Sequence, residues 1–348
     1  MSAPAAPALP TRRGPGSTVA VVSASIGGGH NAAANELARR LTADGYTVDI
    51  HEFLDMFPWR IGTLARRAYS LQLEHAPGSW GWLCAALRWR PLITVIAVLT
   101  TALTGRAMRA AASTASTVVS TYPGASQVLA RMRRRGRIGV PVSSYLTDVA
   151  VHPLWIAPGI DTYLAAHQVT ADEAADLGAT DVRLVDPAVR PAFRSGTGMP
   201  TPAARREFGL PATGRLALVV GGAWGVGDVE RTARDVAASG CATPVVVCAA
   251  NTALRHTLTE AGIGVAFGWV EDMAALMMAC DVVVTNGGGV TSIEAMQLGV
   301  PVLIYRELPG HGRDNALTFH RAGLAHWVRG TDELAAALAA DRPSAVPA

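Results

Sequence analysis

Short β-branched runs alternate with Ala- and Leu-rich stretches of helical period along this chain, and the alternation occurs twice. Thr18–Ser23 (TVAVVS) is the first run. It leads into Gly27-Gly28-Gly29 and an Ala-rich stretch at 31–43 whose spacing predicts a helix ended by Gly45; residues 46–51 then read as a second strand. Further strands are predicted at Thr117–Ser120, 140–146 and Thr162–Ala165. The pattern restarts at Leu216–Val220 with Gly221-Gly222 and a helix to about Ser239. Strands follow at 244–248, 264–267, 281–285 and 301–304, and a last helix at 332–340. Strand–helix alternation of this kind predicts parallel sheets covered by helices.

The expected organisation is a flexible leader over 1–17, a first domain over 18–195, a linker over 196–214, a second domain over 215–340 and a short tail over 341–348. With 348 residues, half of them hydrophobic, two cores of ordinary size are affordable. The leader lacks the apolar stretch of a signal peptide. The longest largely apolar run, 92–103, spans about 18 Å as a helix, short of the ~30 Å hydrocarbon core, so no spanning helix is expected.

Charge changes the picture of the first half. All thirty basic residues are Arg, which removes lysine chemistry. Net charge is only +3, yet residues 56–147 hold twelve Arg and one acid, Glu74, a local sum of +11. Four of the eight tryptophans, Trp59, Trp80, Trp82 and Trp89, share that stretch. Trp with Arg beside an apolar run suits a headgroup layer; a buried helix pair with a solvated Arg face is the plainer alternative. The Arg-rich run at 131–137 comes without a nucleic-acid motif or aromatic platform and reads as an exposed helix end. The four cysteines have no metal-ligand spacing and read as buried thiols in a reducing compartment.

Candidate chemistry sits at predicted strand ends, where open α/β sheets bind ligands. Gly28 and Gly29 open a helix on which His30 occupies the first turn, an imidazole placed to take a proton from a hydroxyl. A tight turn with a merely packing His explains the same residues. Asp148 and His152, with Trp155, follow the strand at 140–146; Asp148 is suited to orient a base or simply to form a turn, and Trp155 to be core or surface anchor. Asn286-Gly287-Gly288-Gly289-Val290-Thr291 opens another helix and offers N–H and O–H donors to a diphosphate. Glu294 is expected in the first helical turn, near those phosphates, where a ribose diol or the helix dipole is its natural partner.

These three ordered motifs (SASIGGGHNAAANEL from Ser23, the 147–155 segment with Asp161, and residues 267–316) together resemble glycosyltransferase family 28. The nearest branch looks like monogalactosyldiacylglycerol synthases and bacterial diacylglycerol glucosyltransferases. The resemblance implies a GT-B fold, two Rossmann-like domains whose parallel sheets face across a cleft, acceptor domain first. It implies inverting transfer of a hexose from a UDP-sugar to a lipid, with no cofactor and no obligatory metal. His30 matches the base. Gly268, Trp269 and Val270 match the loop framing uracil, and Gly221, Gly222, Gly288, Gly289, Val290 and Thr291 match the diphosphate turns. Glu294 matches the ribose contact and Asn315, after Pro309-Gly310, the sugar contact. Gly28, Gly29, His152, Trp155, Trp80, Trp82 and Trp89 fall to the acceptor and an anionic membrane. The implied location is cytoplasmic, peripheral at the inner face of the plasma membrane, with no nucleic-acid partner.

This chain departs from the family pattern at His311-Gly312, where relatives carry Gln-Glu, at Asn286, often Lys, and in a C-terminus that stops soon after the last helix. A nucleotide-sugar epimerase of the same fold and an inactive lipid- or nucleotide-binding homologue remain alternatives. The incomplete first glycine motif, with Ala32 at its third glycine position, speaks against a dinucleotide oxidoreductase.

Overall fold

The structure, a computed structural model, describes residues 14–194, 201–222 and 227–340. It divides into two compact units at Ala188/Val189.

In the first unit the elements run β1 (Thr18–Ser23), α1 (Gly29–Ala43), β2 (Thr47–Glu52), α2 (Ile61–His75), α3 (Pro77–Ala86) and α4 (Arg90–Ser113). They continue with β3 (Thr117–Ser120), α5 (Pro123–Arg134), β4 (Val142–Tyr145), β5 (Thr162–Ala165), α6 (Gln168–Asp176) and β6 (Val182–Leu184). All strand pairings are parallel, in the order β2-β1-β3-β4-β5-β6. The chain therefore winds outward from β1 to β2, then reverses past β1 to β3. That reversal is a topological switch point, where neighbouring loops turn opposite ways and leave a crevice at the carboxyl ends of the strands.

The second unit repeats the plan. It comprises α7 (Thr201–Glu207), β7 (Leu216–Val220), α8 (Val229–Ala238), β8 (Thr243–Val247), α9 (Thr252–Glu260), β9 (Val265–Phe267) and α10 (Met273–Ala279). It ends with β10 (Val282–Thr285), α11 (Gly289–Gln297), β11 (Val302–Tyr305), α12 (His311–Arg321), β12 (His326–Val328) and α13 (Thr331–Ala339). The strand order β12-β11-β10-β7-β8-β9 puts its switch point between β7 and β10.

Central strands are apolar on both faces because helices cover both, as parallel sheets require. Val19 and Val21 pack with Leu37 and Leu41 of α1, while Ala20 and Val22 turn to the opposite core with Val128, Leu129 and Met132 of α5. Val219, Val246 and Val284 meet Val236 of α8 and Leu334 and Leu338 of α13 in the second unit. A buried Glu36–Arg40 pair at 2.7 Å anchors α1 to the chain leaving β6, since Arg40 also donates to the Asp186 and Pro187 carbonyls.

Several features differ from the expectations. β6 and β12 are three-residue edge strands that the sequence reading did not include. Within the expected leader, the Gly16 N–H donates to the Gly45 carbonyl and the Thr47 N–H to Ser17, so pairing begins before β1; residues 1–13 lie outside the described residues. The expected linker carries α7, whose buried Arg205 binds Asp281 at 2.8 Å and so belongs to the second unit; residues 195–200, like the tail at 341–348, lie outside the described residues. The largest change is α4. It runs for 24 residues, because Ala, Arg and Met after Leu103 carry the helix past the apolar run, and it is the one helix among the described residues long and apolar enough to cross a membrane.

Candidate functional site

At the first switch point the loops after β1 and β3 lie side by side, since Val22 is in register with Ser120. His30 stands in the first turn of α1. Its Nδ1 lies 2.8 Å from the Thr121 carbonyl, just past β3, and 3.1 Å from the Thr147 hydroxyl, just past β4. A carbonyl only accepts, so Nδ1 carries a proton, which in a neutral imidazole leaves the lone pair on Nε2. Thr121 closes the exchange by donating its hydroxyl to the His30 carbonyl at 3.1 Å. The ring packs between Tyr122, edge-on at 5.3 Å, and Trp155 at 6.1 Å.

The β1–α1 turn is stiffened by a chain that begins at Ser23 and passes through Asn31 to Ser25, which donates its N–H and hydroxyl to Glu52. Gly28 is the N-cap of α1 and Gly29 its first residue; the cap makes no side-chain bond. Asp148 follows Thr147, and its charge helps raise the Tyr69 phenol, whose main cause is burial. Burial also pushes the Tyr122 phenol up to about 12.

Two residues expected at the acceptor are tied into the scaffold. His152 accepts from the Leu154 N–H through Nδ1 and donates through Nε2 to the Cys84 carbonyl, pinning α3 to the turn after β4. Trp155 is 2% exposed and belongs to the core behind His30, so it is no surface anchor. The other tryptophans separate. Trp80 is half-buried against Tyr69 at 4.8 Å, whereas Trp82 and Trp89 are exposed, as is Trp59. The exposed side of α4 adds Val95, Ile96, Val98, Leu99 and Leu103, opposite a buried stripe of Ile93, Ala97, Thr101, Thr104 and Met108. The cysteines are free; Cys84, Cys248 and Cys280 are buried and Cys241 is partly so.

At the second switch point Val220 is in register with Thr285, which brings Gly221-Gly222 beside the turn before α11. Gly288 caps α11 without a side-chain bond, and Gly289, Val290 and Thr291 form its first turn, with no acidic residue there. Gly287 must be glycine: its φ is +89°, and a Cβ would sit 2.5 Å from the Gly312 carbonyl oxygen. A Cβ on Gly312 would in turn lie 3.1 Å from the Asn286 carbonyl oxygen and 3.1 Å from Leu308 Cβ, so little room is left for a side chain at 312.

Asn315 is fully buried, and its amide donates to the Gly287 carbonyl at 3.1 Å, so it braces the turn that precedes α11. Glu294 is half-buried, and burial pushes its carboxyl up to about 7 against the opposing pull of Arg190. Gly268, Trp269 and Val270 follow β9 at the far edge, with β8 between them and β7; Trp269 is 71% exposed.

Sequence reading missed Thr121, Thr147, Asn31 and Arg190. The first two act through a backbone carbonyl and a hydroxyl at strand ends, which no spacing reveals. Arg190 lay at the end of the expected first domain, but groups with the second.

Two doubly wound parallel sheets, each with chemistry gathered at its switch point, define an α/β protein of the GT-B fold. Solved structures bear this out. The glycotransferase of kitacinnamycin matches with TM-score 0.58 at 17% identity, covering 94% of this chain and 92% of that one. MurG of Acinetobacter baumannii matches with TM-score 0.53 at 15% identity, covering 94% and 92%. Anabaena HepE in complex with UDP-glucose matches with TM-score 0.56 at 13% identity, covering 94% and 93%.

Residues 30–185 match the family model of monogalactosyldiacylglycerol (MGDG) synthase. The chain is also similar to the processive diacylglycerol beta-glucosyltransferase of Bacillus subtilis (strain 168), 30% identical over 226 residues, 62% of this chain and 58% of that protein. The Bacillus pumilus (strain SAFR-032) enzyme of the same name is 30% identical over 200 residues, 55% and 51%. The chain thus spans little more than half the length of these relatives. The likeness to family 28 that the motifs imply is therefore shown.

Proposed function

We propose that this chain is an inverting glycosyltransferase that moves a hexose from a UDP-sugar to a hydroxyl of a lipid acceptor, diacylglycerol foremost, at a membrane surface. The observation that carries the reading is the His30 imidazole, held by Nδ1 at the first switch point, at the residue where the MGDG synthase match begins. The names of the relatives support a diacylglycerol acceptor, and the UDP-glucose bound by HepE supports the donor.

The chemistry is a single displacement. The acceptor hydroxyl gives its proton to His30 Nε2 while its oxygen bonds to the anomeric carbon. The bond from that carbon to the diphosphate breaks, UDP leaves with the electron pair, and attack from the opposite face inverts the centre. Asp148 stabilises the positive ring. Charge growing on the diphosphate is met by N–H groups at Gly221-Gly222 and by the α11 N-terminus from Gly288 to Thr291. Those donors take the part a divalent cation plays elsewhere, so no metal is required. Glu294 accepts from the ribose hydroxyls, and Trp269 flanks the base.

Membrane docking rests on the exposed apolar surface of α3 and α4 in the +11 stretch. Trp59 and Arg60 both have positive φ, 53° and 60°, a rare state for bulky side chains that holds the Trp59 ring 84% exposed. A helix with one stripe buried on α5 and apolar side chains outward suits lying in the interface. Each Arg near an anionic leaflet adds about 1 kcal/mol. The protein is then peripheral, at the inner face of the plasma membrane.

Incubating the purified chain with UDP-glucose or UDP-galactose and diacylglycerol vesicles, and following UDP release with chromatography of the lipids, tests the reading. A glycosylated diacylglycerol is expected. Release of free sugar or epimer without a lipid product speaks for the epimerase alternative instead.

A further inference from the structure

β2 ends on a carboxylate. Glu52 is its last residue, in register with Ser23 at the end of β1, and its side chain is 20% exposed. The Ser25 N–H donates to both of its oxygens, at 3.1 and 2.9 Å, and the Ser25 hydroxyl to Oε2 at 2.5 Å. The Leu54 N–H donates to Oε1 at 3.1 Å. A carboxylate only accepts, so it settles the direction of the bonds beyond it. With its proton given to Glu52, the Ser25 hydroxyl accepts from Asn31 Nδ2 at 2.9 Å. That orientation turns the Asn31 amide oxygen to the Ser23 hydroxyl, which donates at 2.6 Å. Donation thus runs one way, from Ser23 to Asn31 to Ser25 to Glu52, and spans the turn between β1 and α1. Arg66 Nη2 stands 3.9 Å from Oε1 and 3.6 Å from Asp55, so it does not take the place of Ser25 on the carboxylate.

The turn has little else to fix it on this side. Gly27 has φ of +75°, and a Cβ there would meet nothing within 4 Å. Gly28 caps α1 with no side-chain bond. Asn31 directly follows His30 in the first turn of α1. In the strand order β2-β1-β3, Glu52 holds that turn from the β2 side, while the Thr121 carbonyl holds the His30 ring from the β3 side at 2.8 Å. The imidazole is therefore located by both neighbours of β1.

We propose that Glu52 is a positioning residue for the general base: through Ser25 and Asn31 it fixes the first turn of α1, so that His30 Nε2 meets the acceptor hydroxyl in line for proton transfer. The inference rests on the reading that His30 takes that proton. Glutamine at 52 has the same shape but sets an NH₂ against a donor, from Ser25 or Leu54. It also lets the Ser25 hydroxyl, and with it the Asn31 amide, turn the other way.

The test is glycosyl transfer from the UDP-sugar to diacylglycerol vesicles, with UDP binding by titration calorimetry. The proteins are wild type, Glu52→Gln, Asn31→Ala, His30→Ala, and His30→Ala combined with each of the other two. Glu52→Gln and Asn31→Ala each lower kcat by about tenfold to a hundredfold, the cost of a base displaced by up to 1 Å, while donor KM and UDP binding stay as in wild type. In the His30→Ala background neither change lowers the residual rate further, because a residue that acts through the imidazole has nothing left to position. A loss in that background equal to the loss in wild type, or a Glu52→Gln that turns over within twofold of wild type, overturns the proposal. Should Glu52→Gln fail to fold by thermal melting, Asn31→Ala carries the same expectations. A wild type that makes no glycolipid removes the reaction reading itself, and this inference with it; an active wild type beside an unaffected Glu52→Gln removes this inference alone.

Discussion

The carbonyl of Thr121 holds the imidazole of His30 across 91 positions of sequence, Nδ1 to oxygen at 2.8 Å. This one bond joins the loops on either side of the first switch point and sets which ring nitrogen is basic. Thr147, from the next strand, braces the same nitrogen at 3.1 Å. Thr147→Val keeps the size of the side chain and removes that contact. Its expected effect is a fall in kcat of about three- to tenfold with donor KM unchanged, the worth of one hydrogen bond. Steady-state kinetics at saturating donor measure it.

Glu294 gives the donor site a pH signature. Burial raises its carboxyl to about 7. Below that pH it is protonated and accepts poorly from a ribose diol; binding favours the carboxylate. UDP affinity is therefore expected to rise as pH goes up through 7 and to level off above it. Glu294→Gln should bind UDP more weakly at pH 8 and lose the part of the slope that the nucleotide's own titration does not explain. Calorimetry on both proteins from pH 5.5 to 8.5, a window of about 1.5 units either side of the raised carboxyl, separates the two contributions.

Gly287 is a steric requirement. Alanine there must adopt φ near +89° and place its Cβ 2.5 Å from the Gly312 oxygen. Gly287→Ala should lose at least about 2 kcal/mol of stability in thermal or denaturant unfolding. An unchanged midpoint would mean the two turns are not packed as described.

Membrane association is expected to reside in the exposed ring and aliphatic surface. Trp82→Ser with Trp89→Ser, or Leu99→Glu alone, should leave most of the protein unbound in flotation with vesicles containing anionic lipid. His30→Ala should float as wild type does. Binding of wild type should weaken as salt rises, since the Arg contribution is screened.

Turnover should survive a chelator such as EDTA, since the proposed mechanism has the leaving diphosphate met by backbone N–H groups and a helix end rather than by a cation. Loss of activity restored by Mg²⁺ would contradict that.

Most central strands were legible because they are short β-branched runs bounded by turns. Thr18–Ser23, Thr117–Ser120, Thr162–Ala165 and Leu216–Val220 coincide with their expected bounds. The edge strands β6 and β12 were not, although β9, equally short and also at an edge, lies within the expected 264–267. The length of α4 was misread because Thr and Ala are poor markers of apolar surface, while Ala continues a helix well and the Thr101 and Thr104 hydroxyls bond back to carbonyls one turn earlier. His30 and the Gly288–Thr291 turn were legible as strand–turn–helix junctions, whose place at a switch point follows from strand order. The partners of His30 were not, because a backbone carbonyl leaves no trace in residue type. Trp155 and Asn315 look functional in sequence and are buried; a polar or aromatic residue near a motif supports it from behind as readily as it touches a ligand.

One pair of measurements on His30→Ala bears most directly on the reaction: glycosyl transfer from the UDP-sugar to diacylglycerol vesicles, with UDP binding on the same preparation. Transfer should fall by about two to four orders of magnitude, the usual worth of a general base, while UDP binds as to wild type. Turnover within a few-fold of wild type would remove the imidazole from the chemistry and contradict the mechanism.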